Sequence, residues 1–422
     1  MRVPRRSPLA LGLVYAALTI LLGSAPAQAV NRTWTGLGAD DNWTTAGNWG
    51  GTAPSAGDDL FFPGPTPRLT PNNDFPAGTL FSSITFTGTG GYTLTGNAIM
   101  LGGGVAANNT SGGATVQISM TLTATQNFAC STPGPIDRLI IAGPVDTAFV
   151  LMADPTSGSI LTLQGVISGS GQVIQAGPGT TFVTGNMTYT GITTVNTGAF
   201  VLAGASLSSS VTVTGGLLQY ANGASTGDVQ ATGGTVGCEG GGTSEIGHAG
   251  NVDLQAGSLL QMEMDSATKY GQLITTGDVG VTGSTLSLGF TFTSSTGDAF
   301  TIISNGGGVV TGTFAGLPEG ATFTSNGRTY QITYVGGDGN DVVVTDITTG
   351  GPTPTPTATV TVTATPPPGA TATPTPTAVP LPPTATPGAG PAAPVPTLST
   401  NLLVVLMAAL ALVALLVMRR SG

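Results

Sequence analysis

The sequence is short of charged residues: Asp, Glu, Lys and Arg together make up 7% of its 422 residues. It is also short of metal ligands, with two cysteines and a single histidine, His248. A structural zinc site takes about four closely spaced Cys or His ligands, and no such cluster is present. The sequence therefore offers no ligand set for a zinc-stabilised domain, and it predicts no bound cofactor.

Basic residues are fewer than acidic ones: the chain has 10 Lys and Arg against 20 Asp and Glu. Five of the ten lie at the chain ends: Arg2, Arg5, Arg6, Arg419 and Arg420. The part between them therefore carries a net charge of about −15. Such an acidic surface repels nucleic-acid phosphates and anionic lipid headgroups, so neither is an expected partner.

Helical patterns are missing from the central part of the chain, where neither a heptad nor an alternation of strands with helices occurs. Glycine is abundant, at 66 residues, and a composition rich in Gly, Thr, Ser and Val disfavours long helices. Short β-branched runs recur instead, at residues 83–87, 114–118, 139–141, 160–163, 172–174, 181–183 and 342–344. Short strands with a turn signal about every 8–12 residues predict an all-β domain.

Glycine spacing favours a solenoid over a sandwich or barrel. Residues 181–203, TFVTGNMTYTGITTVNTGAFVLA, contain strand-sized pieces separated by Gly-containing turns, and similar units recur about every 20 residues. In a coil, the inner residues of each turn pack on the next turn, and glycines occupy corners where backbones approach closely. The sequence therefore predicts a right-handed parallel β-helix, or β-solenoid.

The two ends of the chain have the patterns of targeting segments. Three arginines within residues 1–6 precede an apolar run at 9–23 and a small-residue site ending at Ala29, which predicts a secretory signal peptide cleaved after Ala29. The alternative is a retained N-terminal anchor.

A Thr/Pro-rich tract at 350–396 leads into an apolar stretch at 398–418, which is long enough to cross a membrane. The arginine pair that follows predicts a cytoplasmic C-terminus.

These patterns divide the chain into six segments. They are a signal peptide at 1–29, a Trp-containing cap at 30–64, a β-solenoid repeat domain at 65–346, a disordered Thr/Pro-rich linker at 347–397, a transmembrane helix at 398–418 and a cytoplasmic tail at 419–422. We expect a single-pass protein of the cell envelope, with its ectodomain outside the cytoplasm and the C-terminal helix in the membrane.

Several segments resemble the passenger-associated β-strand repeat of autotransporter-like surface proteins. Residues 163–171, LQGVISGSG, and 185–195, GNMTYTGITTV, carry the repeat pattern. Further similar segments are the opening with Trp34, Trp43 and Trp49 and the closing turns at 269–273 and 311–341. The resemblance implies export and a β-solenoid, and it implies no particular activity because such passengers differ widely in function.

The C-terminus resembles a second known element. Val395, Pro396, Thr397 and Leu398, with the apolar run and arginine pair beyond them, resemble the IPTL-type sorting signal read by exosortase-like enzymes. Residues 401–402, Asn-Leu, stand where that pattern usually has Trp-Gly. The resemblance implies that a sorting enzyme processes the anchor.

One calcium-type turn occurs. Residues 336–344, GGDGNDVVV, match the nonapeptide G-G-x-G-x-D-x-U-x, with Asp338, Asn340 and Asp341 as candidate ligands. Calcium in such coils is shared between stacked copies, and the sequence has a single copy. We therefore favour a Gly/Asp turn before the last strand over a metal site.

Two other groups of residues are candidates for catalysis. Glu263 and Asp265 alternate with Met262 and Met264, which places both carboxylates on one face of a strand. A carboxylate pair suits glycoside hydrolysis in principle, but no aromatic or Arg cluster flanks this one, so a solvent-facing pair is favoured. His248 has no G-x-S-x-G motif beside it and is interpreted as a loop residue.

The tryptophans and cysteines have structural interpretations. Trp34, Trp43 and Trp49 would form either a carbohydrate-stacking platform or, as we favour, a hydrophobic cap over the first turn. Cys130 and Cys238 are separated by about four or five turns, or about 20 Å, whereas a disulfide needs Cα atoms within about 7 Å. We therefore expect both cysteines to be unpaired and buried.

The sequence as a whole favours a non-enzymatic structural or adhesive surface protein whose partners are extracellular glycans or surface proteins. The alternative is a carbohydrate-active β-helix enzyme, a polysaccharide hydrolase or lyase, that uses Glu263 and Asp265 or other carboxylates. A carboxylate cluster in a groove would favour the enzyme, and a uniformly polar flank of low charge would favour adhesion.

Overall fold

The computed structural model describes residues 29–131, 138–239 and 246–349. These residues form 35 strands and one short 3-10 helix, Ala46–Trp49, so the all-β prediction is confirmed. The strands are β1 (Asn31–Thr33), β2 (Asp59–Pro63), β3 (Asn72–Asn73), β4 (Thr79–Phe81), β5 (Ile84–Thr89), β6 (Tyr92–Gly96), β7 (Ile99–Leu101), β8 (Val105–Ser111), β9 (Ala114–Val116), β10 (Met120–Leu122), β11 (Gln126–Cys130), β12 (Arg138–Ile141), β13 (Val145–Thr147), β14 (Val150–Pro155), β15 (Ile160–Leu163), β16 (Ile167–Ser168), β17 (Gln172–Gln175), β18 (Thr180–Val183), β19 (Thr193–Val195), β20 (Ala199–Ala203), β21 (Val211–Val213), β22 (Leu217–Ala221), β23 (Val229–Ala231), β24 (Thr235–Cys238), β25 (Ile246–Ala249), β26 (Val252–Leu254), β27 (Leu259–Met264), β28 (Gln272–Thr275), β29 (Val279–Gly280), β30 (Thr285–Phe290), β31 (Ala299–Asn305), β32 (Val310–Thr311), β33 (Thr322–Ser325), β34 (Arg328–Gly336) and β35 (Asp341–Asp346).

The strands stack into a parallel β-solenoid with three faces. Face 1 is a 13-stranded sheet in the order β1, β2, β5, β8, β11, β14, β17, β19, β21, β23, β26, β29 and β32. Face 2 is an 11-stranded sheet in the order β3, β6, β9, β12, β15, β18, β20, β22, β24, β27 and β30. Face 3 begins with β4, β7, β10, β13 and β16 and continues, through single bridges at Met187, Leu207 and Ser225, to β25, β28 and β31.

The turns of the coil are unequal in length but keep one register. The shortest take 18 residues, where Val195, Val213 and Ala231 stack directly on one another. The longest takes 31 residues, between Val279 and Val310. Because the stacked positions stay aligned, the extra residues of the longer turns lie outside the paired strands.

Apolar side chains that point inward form continuous rows through the coil. Alternate residues of each strand face inward, so one row on face 2 runs through seven successive strands, from β12 to β27. That row contains Leu139, Leu161, Thr181, Phe200, Leu218, Val236 and Leu260, all of them buried. Burying each large apolar side chain contributes about 1.5–3 kcal/mol, which makes these rows the main source of stability.

Glycine occupies corners where neighbouring turns approach too closely for any side chain. A Cβ added at Gly165 would lie 2.0 Å from the carbonyl oxygen of Gly143 in the preceding turn. One added at Gly185 would lie 2.2 Å from the carbonyl oxygen of Gln164. The prediction that glycines serve the corners is confirmed at these positions.

An aromatic cap closes the N-terminal end. Trp34 and Trp43 are fully buried and Trp49 is 5% exposed, with the Trp34 and Trp49 rings in edge contact at 5.1 Å. Phe62, from the next turn, packs against all three rings. The hydrophobic-cap interpretation is therefore confirmed, and the alternative of a carbohydrate-stacking platform is wrong because the three indole rings are covered.

An antiparallel sheet closes the C-terminal end. Strand β31 stacks in parallel on β28, but β35 pairs with it antiparallel, and β34 and β33 extend the sheet as a meander. The segment that resembles closing turns at 311–341 thus departs from the parallel coil after β32. Arg328 and Asp346 join β34 to β35 through a 2.7 Å ion pair.

Several predicted segments lie outside the described residues. They are residues 1–28 of the signal peptide, the linker from residue 350, the apolar run at 398–418, and the sorting motif Val395, Pro396, Thr397 and Leu398. Within the described ranges, no helix is long and apolar enough to span a membrane.

Candidate functional site

An open groove of about 380 Å³ lies on the outer surface of face 1, toward its C-terminal end. Its floor is a row of outward residues, one from each of β21, β23, β26, β29 and β32. Parallel pairing aligns them in the order Thr212, Gln230, Asp253, Gly280 and Thr311. Gly280 has no side chain, so the row is open on one side of Asp253.

A second row borders the floor where the same strands begin. Asn251 donates to the Asp228 Oδ1 atom from its backbone N at 2.8 Å and from its Nδ2 at 3.1 Å. The Asn251 Oδ1 atom accepts in turn from the backbone N of Asp278 at 2.8 Å. The Asp278 Oδ1 atom accepts from the backbone N of Val309 at 3.1 Å. These bonds connect four turns and hold the Asp and Asn side chains in place.

Asp253 lies at the centre of the groove and is held by two glutamines. Its Oδ2 atom accepts from the Gln255 Nε2 at 2.8 Å and from the Gln230 Nε2 at 3.5 Å. A strand spacing of about 4.8 Å and a rise of about 3.3 Å per residue place the Cα of Asp253 about 8 Å from those of Asp228 and Asp278. The groove therefore presents three separated carboxylates.

The groove is rich in hydrogen-bond acceptors and hydroxyl groups, and its lining includes no Lys, Arg or His. Among the described residues, no three His, Cys, Asp or Glu side chains lie close enough to hold a metal ion together. The arrangement is suited to hydrogen bonding with a neutral polyhydroxyl chain, because carboxylates accept from hydroxyls and side-chain amides both accept from them and donate to them.

The predicted pair Glu263 and Asp265 lies on face 2, away from the groove. Met262 and Met264 are fully buried, so Glu263 between them faces outward as predicted, whereas Asp265 directly follows the end of β27. The Asp265 Oδ1 atom accepts from the Thr291 Oγ1 atom at 3.0 Å. The structure does not bring these two residues into the groove with Asp253.

His248 lies on strand β25 of face 3, so its interpretation as a loop residue is wrong. Its backbone pairs with Ser225 in the preceding turn, and its side chain is exposed. The surrounding glycines at 247 and 250 gave the sequence the composition of a loop. In the coil they accommodate close contacts: a Cβ at Gly247 would lie 2.6 Å from the Tyr220 ring.

The calcium-type turn is the hairpin that joins β34 to β35. The Asp341 Oδ1 atom accepts from the backbone N of Asn305 at 2.8 Å. The Asn340 Nδ2 atom donates to the backbone oxygen of Gly308 at 2.8 Å. Two of the three candidate ligands thus attach the hairpin to the last turn of the coil, and Asp338 lies exposed at its tip.

Both cysteines are buried, as predicted, and they lie on different faces. Cys130 ends β11 on face 1, and Cys238 ends β24, which directly follows β23 of face 1. Five stacking steps separate β11 from β23, or about 24 Å along the coil. Burial raises the pKa of the Cys130 thiol to about 12, so it stays protonated at neutral pH.

Charge is absent from long parts of the coil. Residues 75–136 and 155–227 contain no Asp, Glu, Lys or Arg. Their described outward positions are mainly Thr, Ser, Asn and Gln, with scattered exposed apolar side chains such as Val166 and Ile192. The groove straddles the end of this neutral region: Thr212 belongs to the neutral region, and Asp228 is the first carboxylate of the groove. Sequence reasoning missed the groove because the turns differ in length, with 23 residues from Gln230 to Asp253 and 27 from Asp253 to Gly280, so the alignment of these side chains is not visible in the sequence.

Comparisons with known proteins add no family to this description: the chain matches no protein-family profile, and it matches no curated protein.

Proposed function

We propose that the chain is an exported, membrane-anchored structural or adhesive protein of the cell surface. The observation that carries the proposal is the neutral outer surface of the coil, because residues 75–131 and 155–227 place uncharged hydrogen-bonding side chains in aligned rows. Repeated polar side chains at about 4.8 Å suit weak, multivalent contacts with another surface or a repeating polymer.

Export and anchoring rest on the terminal patterns. The proposed mature chain begins at Val30, and the proposed anchor is the apolar run at 398–418. The autotransporter-type repeat at 163–195 and the sorting motif from Val395 to Leu398 support the same placement. In this arrangement the Thr/Pro tract spaces the coil from the membrane.

Cell fractionation tests the anchor. Cells would express the full chain or a version that ends at Pro396. We expect the full chain in the membrane fraction and the shortened chain in the medium or the soluble extracytoplasmic fraction. Equal release of the two forms would refute the anchor.

A glycan-array screen of residues 30–346 tests adhesion. Binding to one class of neutral polysaccharide, lost when neutral outward residues away from the groove, such as Asn127 and Thr194, are replaced together by Asp, would support adhesion through the rows. Binding that survives this change would show that the rows are not the contact surface.

A second candidate is a polysaccharide hydrolase, and the groove of face 1 is the observation that favours it. The groove is lined by the carboxylates of Asp228, Asp253 and Asp278, and a pair of carboxylates on either side of a sugar is the catalytic group of most glycoside hydrolases. Incubation with the polysaccharides bound on the array, followed by a reducing-end assay, tests this function. Activity that Asp253→Asn abolishes would favour the enzyme over the structural protein.

A further inference from the structure

The floor of the groove on face 1 has one position without a side chain, and the backbone does not require glycine there. Gly280 lies in strand β29 between Asp253 and Thr311 of the neighbouring turns. Its φ is not positive, so any residue can adopt its conformation. Corner glycines such as Gly165 differ, because a Cβ there would lie 2.0 Å from a backbone oxygen. The missing side chain at Gly280 therefore leaves open space, which we call the Gly280 notch.

Two side-chain oxygens border the Gly280 notch. A Cβ added at Gly280 would lie 3.0 Å from the Asp253 Oδ1 atom and 3.7 Å from the Thr311 Oγ1 atom. The nearest backbone atom of a neighbouring strand, the Cα of Asp253, would be 3.8 Å away. The notch is thus bounded by one carboxylate oxygen and one hydroxyl oxygen. A ligand oxygen placed in it would lie within hydrogen-bonding distance of Asp253.

The two carboxylate oxygens of Asp253 have different surroundings. The Oδ2 atom accepts from the Gln255 Nε2 at 2.8 Å and from the Gln230 Nε2 at 3.5 Å, and these bonds hold the carboxylate in one orientation. No described residue donates a hydrogen bond to the Oδ1 atom, which faces the notch. An ionised carboxylate only accepts hydrogen bonds, so a group that binds in the notch must donate one.

The far side of the notch offers a hydroxyl group and an apolar surface. The Thr311 Oγ1 atom donates to the backbone oxygen of Val279 at a long distance of 3.4 Å, so this hydroxyl is free to bond a ligand instead. Val309 stands next to Asp278 in the row that borders the floor, and its side chain is 59% exposed. A sugar ring carries both hydroxyl groups and apolar C–H edges, so it suits this combination of surfaces.

The charge of the groove limits which sugars suit it. Asp228, Asp253 and Asp278 line the groove, and its lining includes no basic residue. These carboxylates repel an anionic sugar such as a uronate. A uronate carboxylate also has no proton to donate to the Asp253 Oδ1 atom. The groove therefore favours a neutral polysaccharide over an acidic one.

We propose that the Gly280 notch is a specificity-determining subsite that holds one hydroxyl group of a neutral polysaccharide. The hydroxyl donates to the Asp253 Oδ1 atom and accepts from the Thr311 Oγ1 atom, while the apolar edge of the sugar lies toward Val309. The inference rests on the proposed adhesion to a polysaccharide, and it places a binding site outside the neutral rows. Binding at this subsite breaks no bond, so it holds whether or not the groove also hydrolyses the polymer.

Polysaccharide binding by the full chain and its variants tests the proposal. The probes are soluble xylan, galactomannan and laminarin, with polygalacturonate as the acidic polymer, and biolayer interferometry measures the dissociation constants. Gly280→Ala fills the notch and keeps every charge. Asp253→Asn keeps the shape, but its oxygen takes the place beside Gln255, so its amide nitrogen, a donor, faces the notch. Gly289→Ala, on β30 of face 2, is the matched control, because a Cβ there would have no neighbour closer than 3.8 Å.

We expect at least one neutral probe to bind the unsubstituted chain and polygalacturonate not to bind. Gly280→Ala and Asp253→Asn should each weaken this binding about tenfold or more, because each removes a hydrogen bond to a charged acceptor. Gly289→Ala should bind as the unsubstituted chain does. All three variants should melt at nearly the same temperature as the unsubstituted chain, since each change lies on the outer surface of a strand.

The outcomes separate the notch from adhesion through the neutral rows. Unchanged binding by Gly280→Ala would overturn the notch, and if the combined Asn127→Asp and Thr194→Asp variant had lost binding, adhesion through the rows would still stand. Binding that is weakened in the two notch variants and kept in this row variant would support the notch and refute the rows. Binding of polygalacturonate, or of none of the three neutral probes, would overturn the notch as a subsite for a neutral sugar.

Discussion

Replacing Asp346 with Ala is expected to loosen the C-terminal cap while the N-terminal cap stays folded. The Asp346 side chain is fully buried and accepts from the Arg328 Nε at 2.7 Å, the Ser294 Oγ at 2.5 Å and the backbone N of Thr348 at 2.8 Å. Burial alone would raise the pKa of Asp346, but these hydrogen bonds outweigh burial and hold the pKa well below its ordinary value.

The expected loss follows from what remains after the substitution. Removing one partner of a buried ion pair costs about 3–5 kcal/mol, because the other charge is left uncompensated. The Arg328 side chain is 21% exposed, so water reaches part of its guanidinium group. We therefore expect a loss of about 2–3 kcal/mol in the local stability of β33, β34 and β35. Asp346→Asn, which keeps an acceptor oxygen, should lose less.

Two probes separate the ends of the coil. All three tryptophans of the chain lie in the N-terminal cap, so their fluorescence reports on that end alone. Amide hydrogen exchange in β34 and β35 reports on the other end. Asp346→Ala should speed exchange in β34 and β35 and leave the urea midpoint of tryptophan fluorescence nearly unchanged, because the turns of a solenoid contact only their neighbours.

Asp58→Ala is the matched control at the opposite end. Asp58 is 4% exposed and accepts from the Arg32 Nε at 2.8 Å. This variant should lower the urea midpoint of tryptophan fluorescence and leave the amide hydrogen exchange rates of β34 and β35 unchanged. If either substitution shifts both probes equally, the coil unfolds as one unit and the reasoning from separate caps is refuted.

The same carboxylates predict a pH dependence. Burial raises the pKa of Asp58, but its bonds to Arg32, Ser55 and Val30 outweigh that effect and leave the pKa lowered. A carboxylate whose pKa is lower in the folded state stabilises the fold above its unfolded pKa of about 3.9, and this contribution is lost as the pH falls through the folded pKa. Both caps should thus weaken below about pH 4, and the Asp346→Ala variant should lose the acid sensitivity of the C-terminal cap.

Three further predictions concern the interior and the hairpin. Val195→Asp should cost about 3 kcal/mol or more in the free energy of unfolding, because Val195 is fully buried, whereas Thr194→Asp on the outer face should cost about 0.5 kcal/mol or less; urea titrations of both variants measure the difference. Cys130 and Cys238 should react with a thiol reagent only after unfolding, since both are buried, and fast labelling of the native protein would contradict their positions. Asp341→Ala should lower the free energy of unfolding by about 1 kcal/mol, because the hydrogen bond to Asn305 is lost. The melting temperature should be the same in calcium and in chelator. A drop in melting temperature that chelator causes in the wild type and not in this variant would show that the hairpin is a metal site.

The coil was predictable from local patterns because each turn repeats the same physical requirement. Runs such as 160–163 and 172–174 are strands in the structure, as β15 and β17. Inward residues must be apolar and corners must admit close backbone contact, so both requirements recur in the sequence about every 20 residues. The hydrophobic N-terminal cap was predictable for a related reason, since Trp34, Trp43 and Trp49 cluster where the first turn needs a cover.

The C-terminal cap and the groove were not predictable in this way. Strands β33, β34 and β35 have the same composition as the strands of the coil, and pairing direction depends on contacts distant in sequence, such as Arg328 with Asp346. The groove depends on register: Thr212, Gln230 and Asp253 align only after turns of unequal length have been paired. Local composition was also misleading at His248: the neighbouring glycines indicated a loop, but stacking on the preceding turn makes this segment a strand.

The distribution of charge follows from the parallel stacking itself. In an in-register coil, each outward side chain lies about 4.8 Å from the equivalent side chain of the turns above and below, so a repeated charge would repel itself along the whole row. Thr, Ser, Asn and Gln avoid this repulsion and keep hydrogen-bonding capacity, which explains the neutral stretches at 75–136 and 155–227. Buried ion pairs occur instead at the two caps, where the stack ends and each Asp meets one Arg, as in Arg32 with Asp58 and Arg328 with Asp346. In the groove, Asn251 stands between Asp228 and Asp278, so even the acidic row separates its like charges by a neutral side chain.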